Sequence, residues 1–575
     1  MMSRPVAGVR NKSVIVTLPG SPKGAKENLQ AILKTLPHAC LQAAGMDSRT
    51  LHVGGVKKLE ADAGIASSGG QSPSHGGNHS HAHGHDHGHN HGHDHGHSHG
   101  HGHGVCGHGN GHGHGNLVRH TAPSANPMSN DLSLGPSRRN RESPYPMLSV
   151  DDALQKIREH TPRPKVITSK VNTSLPGRVL AEDVAARENV PAFRASIVDG
   201  YAVVVPKDGN MKGVFPVVSV SHAAPGEAKP LKEGEIARIT TGAPLPRGAT
   251  SVIMVEDTVL KTMTDDGKEE KEVEILADNV REGENIREVG SDIKADTVVL
   301  SKGEQISAVG GEIGLLAAVG VAEVKTYRKP VLGVLSTGDE VVQHDQPGDL
   351  RLGEVRDTNR IALMSAARGM GFDVIDLGIA ADTPGTLEQT LRDALRSVDV
   401  AITTGGVSMG ELDLLKPTVE RALGGTIHFG RVAMKPGKPT TFATVPIKNS
   451  SGDRVSKVVF GLPGNPASAL VTFHLFVLPA LHQMAGIEPA GLTKVPVSLG
   501  HEFRLDKSRP EYHRAIVTVD RDGHLVATST GGQRSSMIGS LRGANCLLCL
   551  PSGTESLQKG AKVDALLISN VRYEA

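Results

Sequence analysis

The 575-residue sequence contains no tryptophan, and aromatic residues make up only 2% of it. Its hydrophobic cores must therefore be built mainly from valine, isoleucine, leucine and alanine. The four cysteines are too few for a disulfide framework and indicate a reducing compartment, which favours a cytoplasmic protein. Sixty-two basic residues balance 61 acidic ones, so the net charge does not indicate a protein that binds nucleic acid.

Long apolar segments are also missing. The sequence has no run of about 18 apolar residues and therefore predicts no membrane span. Its opening, MMSRPVAGVR, lacks the apolar core of a secretory signal. Glycine and proline are abundant, at 68 and 34 residues, in a chain that is 38% hydrophobic. These features predict a multidomain α/β protein with many turns, organised in stretches of different composition.

The first stretch, residues 1–64, contains one predicted strand and one predicted helix around a Pro-Gly loop. The strand is VIV at 14–16, and the helix has apolar residues at helical spacing over 29–36. A piece of this size cannot close a hydrophobic core alone. We interpret it as the end of a larger α/β domain, or as a piece that packs on another element.

The second stretch, residues 65–141, is a predicted disordered linker rich in histidine and glycine. Seventeen of the 29 histidines lie between His75 and His114. Because apolar residues are nearly absent, burial cannot offset the entropy of ordering this segment. Imidazoles bind Zn²⁺ and Ni²⁺, so the linker could buffer or deliver such a metal. The alternative is a neutral, soluble spacer, since alternating His-Gly fixes no single coordination geometry.

The third stretch divides by its secondary-structure pattern. Residues 142–325 begin with a helix, for which Ser149 is a predicted N-cap, and continue as β-rich segments with many turns. Residues 326–488 alternate strands and helices, which predicts a parallel, doubly wound sheet. Residues 489–575 show short alternating strands, with a hairpin turn at Asp522-Gly523.

Polar, glycine-rich segments follow the predicted strands of the α/β part. They are STGDE at 336–340, Asp382, and TTGGVS at 403–408, and Asp413 comes shortly after. Open α/β sheets bind ligands outside the carboxyl ends of their strands, and backbone N–H groups of glycine turns bind phosphate. Any single loop of this kind could be merely polar, but several at one edge predict a phosphate-binding crevice.

Residues 434–442, MKPGKPTTF, form what we call the lysine loop. Its two lysines, Lys435 and Lys438, are kept out of a helix by Pro436-Gly437 and suit a small oxyanion. A second Pro-Gly turn in LPGNPASALV leads into a helix that starts near Ser468, which is a further predicted anion pocket. The alternative is that Lys435 and Lys438 are ordinary exposed lysines on a Pro-Gly turn and bind no anion.

Carboxylates are the other candidate site residues. Glu340 and Asp382 lie at the predicted crevice, whereas Asp199 and Asp292 lie in the β-rich part. Acidic groups beside phosphate-binding loops often hold Mg²⁺, although a single aspartate is more often a turn or cap residue. Asp199 and Asp292 could reach the crevice only through a folded-over domain or a second subunit.

Eleven segments in order resemble motifs of the molybdenum insertase family, which includes bacterial MoeA and the E domains of proteins such as gephyrin. The resemblance covers about residues 143–575, and the segments are FRASIVDGYAV, RITTGAPLPRGATSVIMVEDT, NIREVGSDI, GLLAAVGVAEV, STGDE, DTNR, TTGGVSMGELD, MKPGKPTTF, GLPGNPASA, PEYHRAIV and STGGQRSSM. VTLPGSPKGAKENLQAILKTLPHA resembles the end of the partner G domain, a molybdopterin adenylyltransferase. Most of that domain is not matched, so we expect a separate or fuller adenylyltransferase to supply the substrate.

The resemblance implies a MogA-like, doubly wound catalytic domain, an inserted β-rich domain and a C-terminal β-barrel-like domain. It implies that the chain inserts molybdate into adenylated molybdopterin with Mg²⁺ and releases AMP. The family's homodimer would place the β-rich domain of one subunit over the crevice of the other.

The resemblance also implies roles for particular residues. Candidates for substrate binding are Ser408, Lys435, Lys438, Ser468, Arg514 and Ser535 or Ser536. Candidates for the cleavage of the phosphoanhydride are Asp199, Asp292, Glu340, Asp382 and Asp413. The first three of these carboxylates are the implied metal ligands.

Three alternatives concern other roles. The E-type dimer could act as a scaffold, as the resemblance to gephyrin suggests. The linker could handle metal as an accessory function, separable by deletion of 75–114. Cys546 and Cys549 form a Cys-x-x-Cys pair, which we interpret as buried small hydrophobes in a short apolar strand and not as a redox or metal site.

Overall fold

A computed structural model describes residues 7–10, 13–16, 127–130, 143–226, 229–406, 414–449 and 452–573. The chain divides into two compact units, Met1–His112 and Gly113–Ala575. In the first unit, β1 (Ala7–Arg10) pairs antiparallel with β2 (Ser13–Val16). The predicted strand at 14–16 is therefore confirmed. The predicted helix at 29–36 and the histidines of the linker lie outside the described residues.

The second unit begins with helix α1 and a β-rich part. Ser149 caps α1 as predicted, since its Oγ accepts a hydrogen bond from the Asp152 backbone N–H at 3.0 Å. The elements are α1 (Val150–His160), β3 (Val166–Lys170), β4 (Val184–Ala185), β5 (Ala195–Ser196), β6 (Gly200–Val203), β7 (Gly213–Ser221), β8 (Ile236–Ile239), β9 (Ser251–Met254), β10 (Thr258–Met263), β11 (Glu270–Ile275), β12 (Ile286–Arg287), β13 (Val298–Leu300), α2 (Glu312–Ala318) and β14 (Glu323–Tyr327).

A six-stranded sheet in the order β10-β11-β7-β8-β6-β9 forms the centre of this part. Successive residues of β6 point to opposite faces, so Tyr201 and Val203 join one buried cluster while Ala202 joins another. Strand β6 is therefore covered on both faces. Exposed residues of this part lie on its loops, on the edge strand β10 and also on inner strands, as at Val214 of β7 and Arg238 of β8.

The α/β part follows. Its elements are β15 (Val331–Thr337), β16 (Val341–Val342), β17 (Val355–Arg356), α3 (Asn359–Gly369), β18 (Asp373–Ala380), α4 (Pro384–Ser397), β19 (Val400–Thr404), α5 (Leu415–Pro417) with a π-turn (Thr418–Ala422), β20 (Thr426–Phe429), β21 (Thr441–Lys448), β22 (Arg454–Leu462), α6 (Pro466–Thr472), a second π-turn (Phe473–Val477) and α7 (Leu478–Ala485).

The sheet has the order β18-β15-β19-β22-β21-β20, with helices on both faces. Strands β18, β15, β19 and β22 are parallel, as the sequence predicts. The other two strands differ from the prediction, because β21 pairs antiparallel with both β20 and β22. A short turn joins β21 to β22, and only a long crossover could have made such neighbours parallel.

The segment Pro466–Ala485 is the one helix in the described part of the chain with the length and apolarity of a membrane span. Its most apolar window is 78% buried inside the protein. Phe473, Phe476 and Leu481 belong to the main core cluster against the sheet. The apolar character of this helix is thus used in packing the α/β part, which agrees with the sequence-based expectation of no membrane span.

The C-terminal part is a small β-barrel. Its strands are β23 (Thr493–Leu499), β24 (Phe503–Arg504), β25 (Glu511–Val519), β26 (Leu525–Ser529), β27 (Cys546–Leu550), β28 (Ser556–Leu557), β29 (Lys562–Leu567) and β30 (Arg572–Tyr573), with a 3₁₀ turn at Ile538–Leu541. The order β26-β23-β29-β27-β25 closes because β25 also pairs with β26. The hairpin turn at Asp522-Gly523 is confirmed, and Gly523 has the positive φ of 84° that such turns require.

The two C-terminal cysteines are free thiols in β27. Cys546 is buried, and burial raises the pKa of its thiol to about 12. A thiol with so high a pKa is unreactive at neutral pH. The interpretation of Cys546 as an apolar core residue is confirmed.

Candidate functional site

Three parallel strands end together at one edge of the α/β sheet. Ser336 of β15 pairs with Thr404 of β19, which pairs with Leu462 of β22. The first residue of α3, Asn359, ties the following loops together. Its Nδ2 donates to Thr404 Oγ1 and to the Gly464 carbonyl, both at 2.7 Å. The crevice predicted at the carboxyl ends of the strands therefore has a hydrogen-bonded floor.

Glycine is required where the loop after β19 turns away from the sheet. Gly405 has a φ of 94°, and a Cβ at this position would lie 2.3 Å from the Thr337 carbonyl oxygen. Gly406 follows with a φ of 59°. The loop therefore passes so close to the neighbouring strand that only glycine fits.

We expect Gly405→Ala to lower the free energy of unfolding by about 1–3 kcal/mol, because it combines left-handed strain with a backbone clash. Urea denaturation followed by circular dichroism measures this change. Gly385→Ala is the matched control, since a Cβ there meets nothing within 4 Å on a solvent-facing helix, and it should be neutral or stabilising. Equal stability of Gly405→Ala and the wild type would contradict the requirement for glycine.

Three carboxylates meet at the strand ends. The Asp382 backbone N–H donates to Asp339 Oδ1 at 3.0 Å. Burial raises the pKa of the half-buried Asp382 carboxyl, and the negative charges of Asp339 and Glu340 raise it further. The structure thus brings Glu340 and Asp382 to one place, as the sequence analysis expects, and adds Asp339 to them.

Below these carboxylates lies a buried ion-pair network that the sequence analysis did not assign. Arg360 Nε donates to Asp357 Oδ2 at 2.7 Å, and its Nη1 also binds Asp376. Ser336 Oγ donates to Asp357 Oδ1 at 2.9 Å, which ties the network to the end of β15. The motif DTNR contains Asp357 and Arg360, so the sequence carried a signal, but their mutual contact is visible only in the folded chain.

The lysine loop is attached to the C-terminal barrel. Lys435 Nζ lies 3.0 Å from Glu511 Oε2 and 3.4 Å from Asp506 Oδ2. Burial opposes a charged amine there, but these carboxylates outweigh it and raise the pKa of Lys435. Within the described part of the chain, Lys438 has no ion-pair partner. The two lysines thus differ in how much of their charge is already neutralised, a difference that the sequence did not reveal.

The second anion pocket lies near the first. Ser468 is in the first turn of α6 and only 3% exposed. The loop's Gly437 is so close to α6 that a Cβ would lie 2.4 Å from Thr472 Cγ2. From the barrel, the Ser535 carbonyl accepts a hydrogen bond from the Ala467 N–H at 3.1 Å. The structure therefore places the Ser535 loop at the N-terminal end of α6, near Ser468, and the lysine loop against Thr472, the last residue of that helix.

Arg514 is fully buried in the barrel. Its Nε and Nη2 donate to Ser540 Oγ at 3.1 and 3.0 Å, and Nη2 also donates to the Arg534 carbonyl. Burial lowers the pKa of the guanidinium to about 10, so it remains charged at neutral pH. Its Nη1 has no hydrogen-bond partner among the described residues, which leaves a donor for a further acceptor.

Asp199 and Asp292, the two candidate carboxylates of the β-rich part, have their hydrogen-bond and ion-pair partners within that part. Asp199 Oδ1 accepts from the Thr241 N–H at 2.7 Å, and Asp292 forms an ion pair with Arg287. Both are exposed, and no bond joins either to the α/β part within the described residues. Exposed apolar side chains lie near them, Phe193, Ile197 and Val289 along the chain, and Met254 and Val255 on the strand end that pairs beside Asp199.

The structure leaves several predicted roles open. Ser408 and Asp413 lie outside the described residues. Asp199, Asp292 and Glu340 are not gathered into one ligand set within the described part of a single chain, where the one group of three close ligands is Asp520, Asp522 and His524. That group is the exposed hairpin turn between β25 and β26, and backbone N–H groups already bind Asp520 there. The three-ligand metal site therefore stays a prediction.

Parallel strands that end at one edge, a glycine turn, crowded carboxylates and a lysine loop are typical of an α/β protein that binds anionic ligands. Sequence comparison agrees with this class. Residues 148–320 match the MoeA N-terminal region (domains I and II), 333–483 match a probable molybdopterin-binding domain, and 496–568 match the MoeA C-terminal region (domain IV). The chain belongs to the MoeA and gephyrin family of molybdenum cofactor synthesis proteins.

Relatives with known names support this assignment. Gephyrin of Dictyostelium discoideum is 38% identical over an alignment that covers 99% of this chain and 79% of that protein. The molybdopterin molybdenumtransferase of Haemophilus influenzae is 33% identical over 72% of this chain and 98% of its own length. The crystal structure of a MoeA protein from Pyrococcus horikosii covers 74% of this chain and all of that chain, with 29% identity and a TM-score of 0.60.

Proposed function

We propose that this protein is a molybdopterin molybdenumtransferase. It inserts molybdate into adenylated molybdopterin, releases AMP and completes the molybdenum cofactor. One observation carries the proposal. Loops from two parts of the chain that are distant in sequence contact the same helix: Gly437 of the lysine loop lies against Thr472 of α6, and the Ser535 carbonyl accepts a hydrogen bond from the Ala467 N–H. We infer that Lys435, Lys438, Ser468 and Ser535 act together on one anion.

The residues present suit a tetrahedral dianion. Lys438 supplies an ammonium that has no carboxylate partner among the described residues, and Ser468 supplies a hydroxyl at the positive end of a helix. Arg514 adds a buried guanidinium whose Nη1 has no hydrogen-bond acceptor in the described part of the chain. We assign these groups to molybdate, and we assign the glycine turn with Ser408 and Asp413 to the pterin phosphates.

Mg²⁺ is the proposed assisting ion. The raised pKa of Asp382 beside Asp339 and Glu340 reflects crowded negative charge that a divalent cation would relieve. Bound there with substrate phosphate, Mg²⁺ would neutralise charge on the phosphoanhydride that is cleaved. Among this chain's own residues, Asp339 holds the Asp382 backbone in place, and Glu340 and Asp382 offer oxygens to the ion.

A homodimer is the proposed assembly. Asp199 and Asp292 are exposed, and the apolar side chains near them in sequence, Phe193, Ile197 and Val289, are 44–52% exposed, as expected for a surface that another subunit covers. A partner's β-rich part lying over the crevice would bring these two carboxylates to the metal ion. The dimer thus supplies the ligands that a single chain lacks.

Three further assignments complete the proposal. A separate or fuller molybdopterin adenylyltransferase supplies the substrate, a proposal that rests on the resemblance of VTLPGSPKGAKENLQAILKTLPHA to the end of such a domain. The His-rich linker binds Zn²⁺ or Ni²⁺ as an accessory property. The enzyme acts in the cytoplasm, in keeping with its four cysteines and free C-terminal thiols.

The test is cofactor synthesis by the purified full chain. With adenylated molybdopterin, molybdate and Mg²⁺, we expect AMP release together with active cofactor. Lys435→Ala, Lys438→Ala and Asp413→Ala should each lower the rate, whereas Lys448→Ala, an exposed lysine at the end of β21, should not. A folded dimer that releases no AMP would overturn the enzyme assignment and favour a scaffold role.

A further inference from the structure

Glu511 connects the lysine loop to the interior of the barrel. One carboxylate oxygen lies 3.0 Å from Lys435 Nζ, and the other lies 3.0 Å from His513 Nδ1. His513 in turn places its Nε2 2.7 Å from Ser529 Oγ on the next strand. The side chains of Glu511 and His513 are only 5% and 12% exposed. A buried chain of contacts therefore runs from the Lys435 amine to the barrel core.

The backbone reinforces this connection. The Lys435 N–H donates to the Pro510 carbonyl at 2.9 Å, and the Tyr512 N–H donates to the Lys435 carbonyl at 2.8 Å. Arg509 Nη1 also donates to the Met434 carbonyl at 3.0 Å. Strand β25 thus holds the loop on both sides of Lys435, so the main freedom left to this residue is that of its side chain.

The charges around Lys435 do not suit a dianion as they stand. One ammonium faces two carboxylates, Glu511 and Asp506. Burial would raise the pKa of Glu511, but hydrogen bonds from His513 and Lys435 outweigh burial and lower it, so this carboxylate stays ionised at neutral pH. With a neutral imidazole at His513, the four side chains of Lys435, Glu511, Asp506 and His513 together carry a net negative charge. With an imidazolium at His513, their positive and negative charges balance.

We propose that His513 is a positioning residue for the oxyanion site: its protonation draws Glu511 toward the imidazolium and releases the Lys435 amine to the substrate. Oxyanion binding is then coupled to the uptake of one proton by the buried Glu511–His513 pair. This inference rests on the proposed function, because it takes the lysine loop as the molybdate site. It adds a residue and a pH dependence that binding by two free lysines would not require.

The groups that face His513 are few. Glu511 lies on the same strand, and Ser529 lies on β26. His501 accepts a hydrogen bond from the Ser529 N–H at 3.1 Å, so a second imidazole lies next to the residue that His513 contacts. The Phe503 ring packs edge-on at 5.0 Å. On the far side of Glu511 are Lys435, Asp506 and the Arg514 guanidinium, whose charge also acts on Glu511.

The experiment is titration calorimetry of molybdate into the full chain between pH 6 and pH 8. For the wild type we expect the Kd to be about 5- to 10-fold lower at pH 6, since the uptake of one coupled proton changes affinity by at most tenfold per pH unit. His513→Gln should bind with the weak Kd at every pH. Glu511→Gln should bind with the tight Kd at every pH, because it removes the competing carboxylate.

Controls separate this inference from the proposed function. His501→Gln should keep the pH dependence, and Lys435→Ala should lose it. Calorimetry of the wild type in buffers of different ionisation enthalpy counts the proton directly, which keeps the test valid if a variant fails to fold. A wild-type Kd that does not change with pH, or a pH dependence that survives in His513→Gln, would overturn the coupling while the enzyme stands. Absence of molybdate binding at every pH would instead overturn the lysine loop as the oxyanion site.

Discussion

Replacement of Lys438 with alanine is expected to lower kcat/KM for molybdate insertion by about 100-fold. Removal of one charged donor aimed at a developing or bound anion in a preorganised site typically costs on the order of 100- to 1,000-fold. Lys438 should carry most of this effect because, within the described residues, it has no carboxylate partner, whereas Lys435 is shared with Glu511 and Asp506. Steady-state kinetics with varied molybdate measures the change.

The comparison of the two lysines makes this prediction specific. At pH 8, Lys435→Ala should have a smaller effect than Lys438→Ala, because the Lys435 charge is already neutralised by two carboxylates. Lys438→Arg should recover part of the lost activity, since it keeps the charge but changes the shape of the donor. Equal losses for the two alanine variants at pH 8 would show that the ion pairs of Lys435 do not compete with substrate.

Replacement of Arg360 with methionine is expected to lower the free energy of unfolding by about 3–5 kcal/mol. The Arg360 and Asp357 side chains are only 8% and 2% exposed, and loss of the guanidinium leaves a buried carboxylate without its partner. Chemical denaturation of the full chain measures the loss. We also expect weaker substrate binding, because Asp357 holds Ser336 at the end of β15 through a 2.9 Å hydrogen bond.

Arg396 offers a matched control for this prediction. It forms an ion pair with Asp393 at the same sequence spacing of three, but the two side chains are 51% and 53% exposed. Arg396→Met should therefore leave stability unchanged, since exposed ion pairs contribute little. The double variant Arg360→Met with Asp357→Asn should be more stable than Arg360→Met alone. A single variant as stable as the wild type would mean that water or another cation already satisfies Asp357.

Local patterns in the sequence were sufficient for many elements. The N-cap at Ser149, strand β15 with its polar ending, and the hairpin turn at Asp522-Gly523 all depend on residues a few positions apart. Hydrophobic periodicity and turn chemistry act over such distances, so they can be read directly. The prediction of a fully parallel sheet was wrong for β20 and β21, because periodicity indicates a strand but not its direction.

The individual loops of the candidate site could be predicted from the sequence, but the contacts between them could not. The lysine loop, the glycine turn and the strand-end carboxylates could be named from the sequence, and together with the other ordered motifs they indicated the family. Which of them meet depends on the path of the chain. Lys435 pairs with Glu511, 76 positions away, through a contact between the α/β part and the barrel. Local composition does not determine such a contact.

The sequence by itself determined the family, the order of the α/β and β parts and the kind of anion chemistry, because these follow from local patterns and ordered motifs. The tertiary structure alone decided that Lys435 pairs with two carboxylates while Lys438 has none among the described residues, that Arg360 joins Asp357 and Asp376, and that Asp199 and Asp292 make no bond to the α/β part within those residues. The physical reason is that charge and burial are properties of a residue's three-dimensional surroundings. Residues distant in sequence create those surroundings only when the chain folds.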